Sequence, residues 1–151
     1  MTTEPKFIPK EAVSINVADN LDMKVKMIDC VGYVVKDAEG QFEDGKERMV
    51  RTPWFDYDIP FSKAAEIGTN KVINNHSTVG IVVTTDGSFG ELPRESYLEA
   101  EQKTVDELKA IGKPFVILLN TDKPSSSQTA ALSAEMSDTY GASVIPVNVE
   151  Q

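Results

Sequence analysis

The sequence predicts an α/β fold on a mostly parallel sheet, and three observations predict it. Two continuous apolar runs, Val-Gly-Ile-Val-Val-Thr at 79–84 and Phe-Val-Ile-Leu-Leu at 115–119, have the length and composition of strands buried on both faces. Helical periodicities alternate with these runs. Each run gives way to a polar turn, Thr84–Gly87 after the first and Asn120–Pro124 after the second, which is where sheets of this class bind ligands. The bulk composition agrees: 151 residues, 40% hydrophobic and 26% charged, suffice for one packed core.

The elements follow in order. Val13, Ile15 and Val17 alternate with polar neighbours. After a turn at Asn20 and Asp22, Met23, Val25 and Met27 alternate again, so 11–17 and 23–29 read as an antiparallel hairpin ending at Ile28-Asp29. Residues 36–60 are polar and punctuated by Gly40, Gly45, Pro53 and Pro60, and read as one long loop pinned by Trp54, Phe55 and Tyr57. Phe61, Ala64, Ala65, Gly68 and Val72 share a helical face over 61–75. Leu98, Val105, Leu108 and Ile111 do so over 94–111, with Gly112 and Pro114 as the stop. Glu95, Glu99 and Glu101 read as the solvated side of that helix. Ser125–Ser127 can cap a third helix through Tyr140, with Leu132 and Met136 inward and Gly141 beyond it. Residues 144–149 form a last strand, placed at an edge because Pro146 cannot donate to a ladder. The order β-β, long loop, α-β-α-β-α-β implies a parallel sheet with helices on both faces.

Charge and cysteine content remove whole function classes. Fifteen Lys and Arg against 24 Asp and Glu leave a net charge of −9, which disfavours nucleic acid and anionic lipid as partners. A single cysteine, Cys30, excludes an internal disulfide and a cysteine-built zinc site, and a single histidine, His76, leaves no His-rich metal site. His76 reads as a helix-end residue and Cys30 as a small apolar filler. No apolar run approaches the roughly 20 residues of a membrane helix, and the first residues carry no signal-peptide core. The expected setting is cytoplasmic, with no membrane span.

Two strand-end motifs could carry chemistry. In Asp29-Cys-Val-Gly32, a carboxylate after an apolar strand can hold Mg²⁺ through water, and the glycine lets a backbone N–H approach a terminal phosphate; a plain turn has the same composition. Asn120-Thr-Asp-Lys123 sits where nucleotide-binding α/β proteins read the base. The guanine-reading form is Asn-Lys-x-Asp, and its aspartate position is here Lys123, which has donors and no acceptor, so the usual guanine contact is not encoded. A helix-entry turn remains open for this loop too. The phosphate-cradling pattern Gly-x-x-x-x-Gly-Lys-[Ser/Thr] does not occur. Its nearest match, Gly40 to Glu47, is rejected because Glu47 replaces the hydroxyl and Glu43 and Asp44 would face the phosphates.

Several strings together resemble one family: Met1-Thr-Thr-Glu-Pro-Lys-Phe7, Asp29-Cys-Val-Gly-Tyr33, Thr52-Pro-Trp54, Ile59-Pro-Phe61, Ala64-Ala-Glu-Ile-Gly-Thr69, Thr84-Thr-Asp-Gly87 and Gly112-Lys-Pro-Phe115. They resemble the ATPase domain of stage IV sporulation protein A, over essentially the whole chain. The resemblance implies a P-loop NTPase-like three-layer sandwich of translation-factor GTPase type, with a mostly parallel sheet and one antiparallel strand. It implies ATP and Mg²⁺ as cofactors. It also implies self-assembly into a polymer around the forespore in the mother-cell cytoplasm, a small amphipathic membrane-anchor peptide and other spore-coat proteins as partners, and hydrolysis that accompanies assembly. Carried over by position, Thr2 and Thr3 match the threonine pair that senses the γ-phosphate and Mg²⁺. Asp29 matches the Walker B aspartate and Gly32 the switch glycine. Asn120, with Thr121 beside it, falls in the base-recognition loop, and the Thr121/Lys123 departure fits ATP rather than GTP.

The family places a first strand, a Walker A loop and a first helix before the threonine pair. Residues 1–151 are therefore expected to be a partial ATPase domain, N-terminally truncated, with the first strand and P-loop missing. By itself such a chain is expected to bind ATP weakly and hydrolyse it negligibly. The strand at 23–29 and the strand at 79–84 are expected to be left with unpaired edges. Two further readings stand beside this one, a catalytically inactive scaffold or assembly module and a flavodoxin-like small-molecule binding module.

Overall fold

A computed structural model describes residues 9–150. These divide into two compact units. The first comprises the described residues to 32 together with 49–77, and the second comprises 33–48 and the described residues from 78 onward.

In the first unit, β1 (Val13–Ala18) pairs antiparallel with β2 (Leu21–Val25) around a turn in which Asn20 takes a φ of 65°. Asn16 donates from Nδ2 to Asp22 Oδ1 across the turn at 3.1 Å. The alternation predicts this hairpin, but β2 stops at Val25 rather than continuing to Asp29. Val13, opposite Val25, is its last partner, and an antiparallel ladder ends where its partner ends. The ribbon's apolar residues stay in solvent: Val13 is 70% exposed and Met23 49%.

The first half of the 36–60 loop contains structure that the sequence reading missed. Phe42–Glu43 (β3) and Lys46–Glu47 (β4) form a two-residue hairpin in the second unit. Asp44 and Gly45 both take positive φ, 51° and 74°. An Asp-Gly pair with both φ positive is the preferred tight hairpin turn, and that signal was legible. This hairpin occupies the segment rejected above as a phosphate loop. In the first unit, Met49–Val50 (β5) pairs with Ile59–Pro60 (β6) and leads into α1 (Phe61–Lys71). The helix continues as one π turn, Val72–His76, and buries Ala65, Thr69, Val72 and Ile73. Trp54 lies against it. A Cβ at Gly68 would sit 3.5 Å from the indole, and the Lys71 ammonium lies 5.6 Å from the ring centroid.

The second unit holds the parallel sheet. Its strands β7 (Gly80–Thr85), β8 (Phe115–Asn120) and β9 (Val144–Val147) are adjacent in that order. The connections are a 3₁₀ turn at Arg94–Tyr97 running into α2 (Leu98–Ala110), and then α3 (Ser127–Tyr140). This is the predicted α/β alternation. β9 is an edge strand, paired to β8 alone, with Pro146 opposite Leu119. Ser126 caps α3 by accepting the Thr129 N–H, and Gly141 closes it at φ 60°.

Both helices of this unit cover the same face. Ile117, Leu119 and Val105 are completely buried between sheet and helices, while Ile81 and Val83 on the opposite face are 53% and 65% exposed. Topology explains it. Right-handed crossovers that progress in one direction, β7 to β8 to β9, place successive helices on one side. A second helical layer requires a strand order that also runs the other way from β7. Among the described residues, β7 has no strand partner on its outer edge, and the β1–β2 ribbon forms a separate sheet.

Candidate functional site

The carboxyl edge of the parallel sheet gathers the second motif. Thr85 at the end of β7 lies in register with Asn120 at the end of β8. The two loops that leave these ends are tied to each other. Asp86 N–H donates to the Asn120 carbonyl at 3.3 Å. Ser88 donates to Asp86 Oδ1 twice, from its backbone N–H at 2.9 Å and from its hydroxyl at 2.5 Å. The same hydroxyl oxygen accepts the Asp122 N–H at 2.9 Å. Burial opposes the Asp86 charge, yet hydrogen bonds from Ser88 and Thr121 hold this carboxyl below its ordinary range.

The base-loop motif is anchored from three further sides. The Asn120 side-chain oxygen accepts the Val149 N–H at 3.2 Å, which ties the loop to the segment after β9. Thr121 is completely buried, donates from its backbone to the Val147 carbonyl at 2.9 Å, and accepts the Lys123 N–H on its hydroxyl at 3.2 Å. The Lys123 carbonyl accepts from the Thr129 hydroxyl at 2.9 Å and from Ser126 N–H at 3.0 Å, which joins the loop to the start of α3. At the tip, the Lys123 ammonium stands 3.3 Å from the Asp122 carboxylate, with both side chains largely in solvent.

The 86–93 loop turns on a required glycine. Gly87 has a φ of 86°, and a Cβ there would meet the Arg94 nitrogen at 2.8 Å. Arg94 then closes the loop onto the sheet. It donates to the Thr84 hydroxyl at 3.1 Å and to the Thr85 carbonyl at 3.2 Å, and it clamps both oxygens of Glu101 at 2.5 and 2.6 Å. Tyr140 donates to the same carboxylate from α3 at 2.6 Å. Burial works against the Glu101 charge, but Arg94, Thr84 and Tyr140 hold the carboxyl below its usual range. Burial first, and the Glu101 carboxylate second, push the Tyr140 phenol well up.

This corrects one expectation. Glu101 is 4% exposed and is the anion of a buried network, not part of a solvated face. Its spacing carried the signal, since Glu101 lies three residues after Leu98 and four before Val105, on the apolar stripe, with Arg94 two turns upstream. Glu95 and Glu99 are exposed, as expected.

The other site residues fall elsewhere. Thr2 and Thr3 lie outside the described residues. Asp29 and Gly32 belong to the first unit, whereas Asn120 and Thr121 belong to the second. Asp29 is exposed in an irregular segment rather than at a strand end, and Gly32 takes a φ of 77°. Asp29 offers Mg²⁺ one hard oxygen ligand, which suits a metal that keeps most of its shell as water and phosphate. Among the described residues, no three His, Cys, Asp or Glu side chains are grouped to hold a metal ion. Cys30 is a free thiol, and His76 is exposed at the end of the π turn. Of the three loop aromatics, Tyr57 is 62% exposed and stacks on Phe55 at 5.3 Å, while Trp54 is half-buried. No helix among the described residues is long and apolar enough to cross a membrane.

Comparison with known proteins gives a consistent result. The family described as stage IV sporulation protein A, ATPase domain, matches residues 1–151. The chain is 50% identical over 150 residues to stage IV sporulation protein A of Bacillus anthracis and 47% identical over 150 residues to that of Bacillus subtilis. It is 50% identical over 149 residues to the Clostridioides difficile protein. In each case the match covers 99% of this chain and 30% of the relative, so the chain spans under a third of the relatives' length. No solved structure matches the chain significantly. With the family matched from end to end and about half of all positions shared, the chain belongs to the stage IV sporulation protein A ATPase-domain family.

Proposed function

We propose that this chain supplies the base-reading side and the Walker B carboxylate of an ATPase domain, in a spore-coat morphogenetic protein whose ATP hydrolysis accompanies self-assembly of the coat base layer around the forespore. Asn120 and Thr121 form the base loop, Asp29 holds Mg²⁺ through water, Gly32 brings a backbone N–H toward the terminal phosphate, and Thr2 and Thr3 sense that phosphate and the metal. The partners in this reading are further copies of the protein, a small amphipathic membrane-anchor peptide and other coat proteins, in the mother-cell cytoplasm.

The observation that carries the reading is the multiply anchored loop Asn120–Lys123 at the carboxyl edge of a parallel sheet, in a chain of an ATPase-domain family. The order Asn-Thr-Asp-Lys departs from the guanine-reading order and fits ATP, because the position of the guanine-contacting aspartate is Lys123, which has no acceptor. The metal, when bound, neutralises charge on the β- and γ-phosphates. The chain's own part is to orient the base and hold the metal's water shell.

The test places this chain in the matching position of the Bacillus subtilis relative, with and without Asp29→Ala. ATP turnover is expected to fall on the order of a hundredfold in the variant, and polymer recovered by sedimentation is expected to fall with it. Unchanged turnover in Asp29→Ala overturns the assignment.

A further inference from the structure

Thr84-Thr-Asp-Gly87 and the serine after it have no part in the function proposed above, yet they reach into its base loop. The Ser88 hydroxyl sits between two loops, donating to Asp86 Oδ1 at 2.5 Å and accepting Asp122 N–H at 2.9 Å. Asp86 is itself fixed to the base loop, through its N–H to the Asn120 carbonyl and through Thr121 to its carboxylate. Its loop cannot drift, because Gly87 N–H bonds the Thr85 hydroxyl at 3.1 Å and the Arg94–Glu101 pair pins the far end. The Asp122 amide is the midpoint of the base loop, directly before Lys123 and directly after the buried Thr121. A hydroxyl held at both ends therefore sets the direction in which the Asp122 and Lys123 side chains leave the sheet edge.

We infer that Ser88 and Asp86 are positioning residues for nucleobase discrimination: the relay from Asp86 through the Ser88 hydroxyl to the Asp122 amide fixes the backbone of the loop that carries Asn120, Thr121 and Lys123. This rests on reading 120–123 as the base loop. Ser88 does not touch the nucleotide; it acts through Asp122. The two ends of the relay differ in chemistry. Asp86 needs a donor and the Asp122 amide needs an acceptor, and a hydroxyl is both at once, whereas a methyl group is neither.

The experiment places this chain in the matching position of the Bacillus subtilis relative, titrates the full-length protein with ATP and with GTP by calorimetry, and takes the ratio of the two affinities. The wild-type chain prefers ATP. Ser88→Ala lowers that preference about fivefold, the size of one lost hydrogen bond, and Ser88→Thr, which keeps the hydroxyl, retains it. Asp86→Asn, nearly isosteric, provides a second arm and lowers the preference similarly. A general loss of structure would weaken both nucleotides equally and would not be rescued by threonine. Asn120→Ala is the control for the base loop. Where Asn120→Ala lowers the ratio but Ser88→Ala and Asp86→Asn leave it at the wild-type value, the relay is wrong and the base loop stands. Where Asn120→Ala leaves it unchanged as well, the base-loop reading fails and the relay fails with it.

Discussion

The carboxyl edge of the parallel sheet and the β1–β2 ribbon are built from similarly legible strands, yet they hold together in opposite ways. At the sheet edge, Thr84, Thr85 and Thr121 are buried, and their loops are fixed by a hydrogen bond that Ser88 accepts from Asp122 N–H and by others donated by Arg94, Thr129 and Val149. In the ribbon, every residue of both strands except Val25 is exposed, and the ladder itself is the main tie. A two-stranded ribbon without a covered face is marginal in water. Helices α2 and α3 follow strands of their own sheet and fold back over them, whereas the ribbon's tight turn leaves no chain to cover it. Binding residues need fixed geometry, so the contrast directs attention to the sheet edge.

The contrast is most directly broken at the buried ion pair. Glu101→Ala leaves the Arg94 guanidinium without its carboxylate in a buried place and is expected to cost about 3–5 kcal/mol, read by urea unfolding. A loss under about 1 kcal/mol would make this pair no stronger than a surface one. Gly87→Ala comes next, with strain from a positive φ and from the Cβ against Arg94, expected at about 1–3 kcal/mol. Ser126→Ala removes the cap of α3 for about 1 kcal/mol. Ile15→Ser on the ribbon should change stability by less than about 0.5 kcal/mol. A larger loss would show that the ribbon's apolar face is covered in solution.

Acid and base sharpen the same comparison. Asp86 and Glu101 have folded-state pKa values below the ordinary 3.8 and 4.5. Their contribution is therefore complete above those values and is lost as pH falls through the lower folded ones. Tyr140 is shifted the other way. Its contribution is complete below the ordinary 10.0 and is lost as pH rises above that toward the folded value. Amide exchange across pH should thus show the sheet edge loosening at both extremes. A sheet edge whose exchange is unchanged from neutral to acid pH would contradict a stabilising role for Asp86 and Glu101.

Much of this was readable from residue order. The period-two alternation marks the β1–β2 hairpin, the continuous apolar runs mark β7 and β8, the 3.6 period marks α1 to α3, and Pro146 places β9 at an edge. The rest depends on neighbours that lie elsewhere in the chain. The end of β2 depends on where its partner starts, which no pattern within 23–29 contains. The coverage of a single sheet face depends on the direction of the crossovers, not on any helix's own sequence. Glu101 lies on the apolar stripe of its own helix with Arg94 two turns upstream, which the sequence shows, whereas its further partner, Tyr140 on α3, is brought to it only by the fold. Asn120 and Thr121 were found by their place after a buried strand, whereas Ser88 was not, because its role exists only once β7 and β8 are adjacent.

Whether the sheet-edge loops bind the base of an adenine nucleotide, as proposed above, is decided by amide chemical-shift mapping of the 151-residue chain titrated with millimolar ATP. Shifts are expected at Asp86–Ser88 and Asn120–Lys123, with the β1–β2 ribbon unmoved. Shifts elsewhere with 120–123 silent, or equal responses to ATP and GTP, would contradict it.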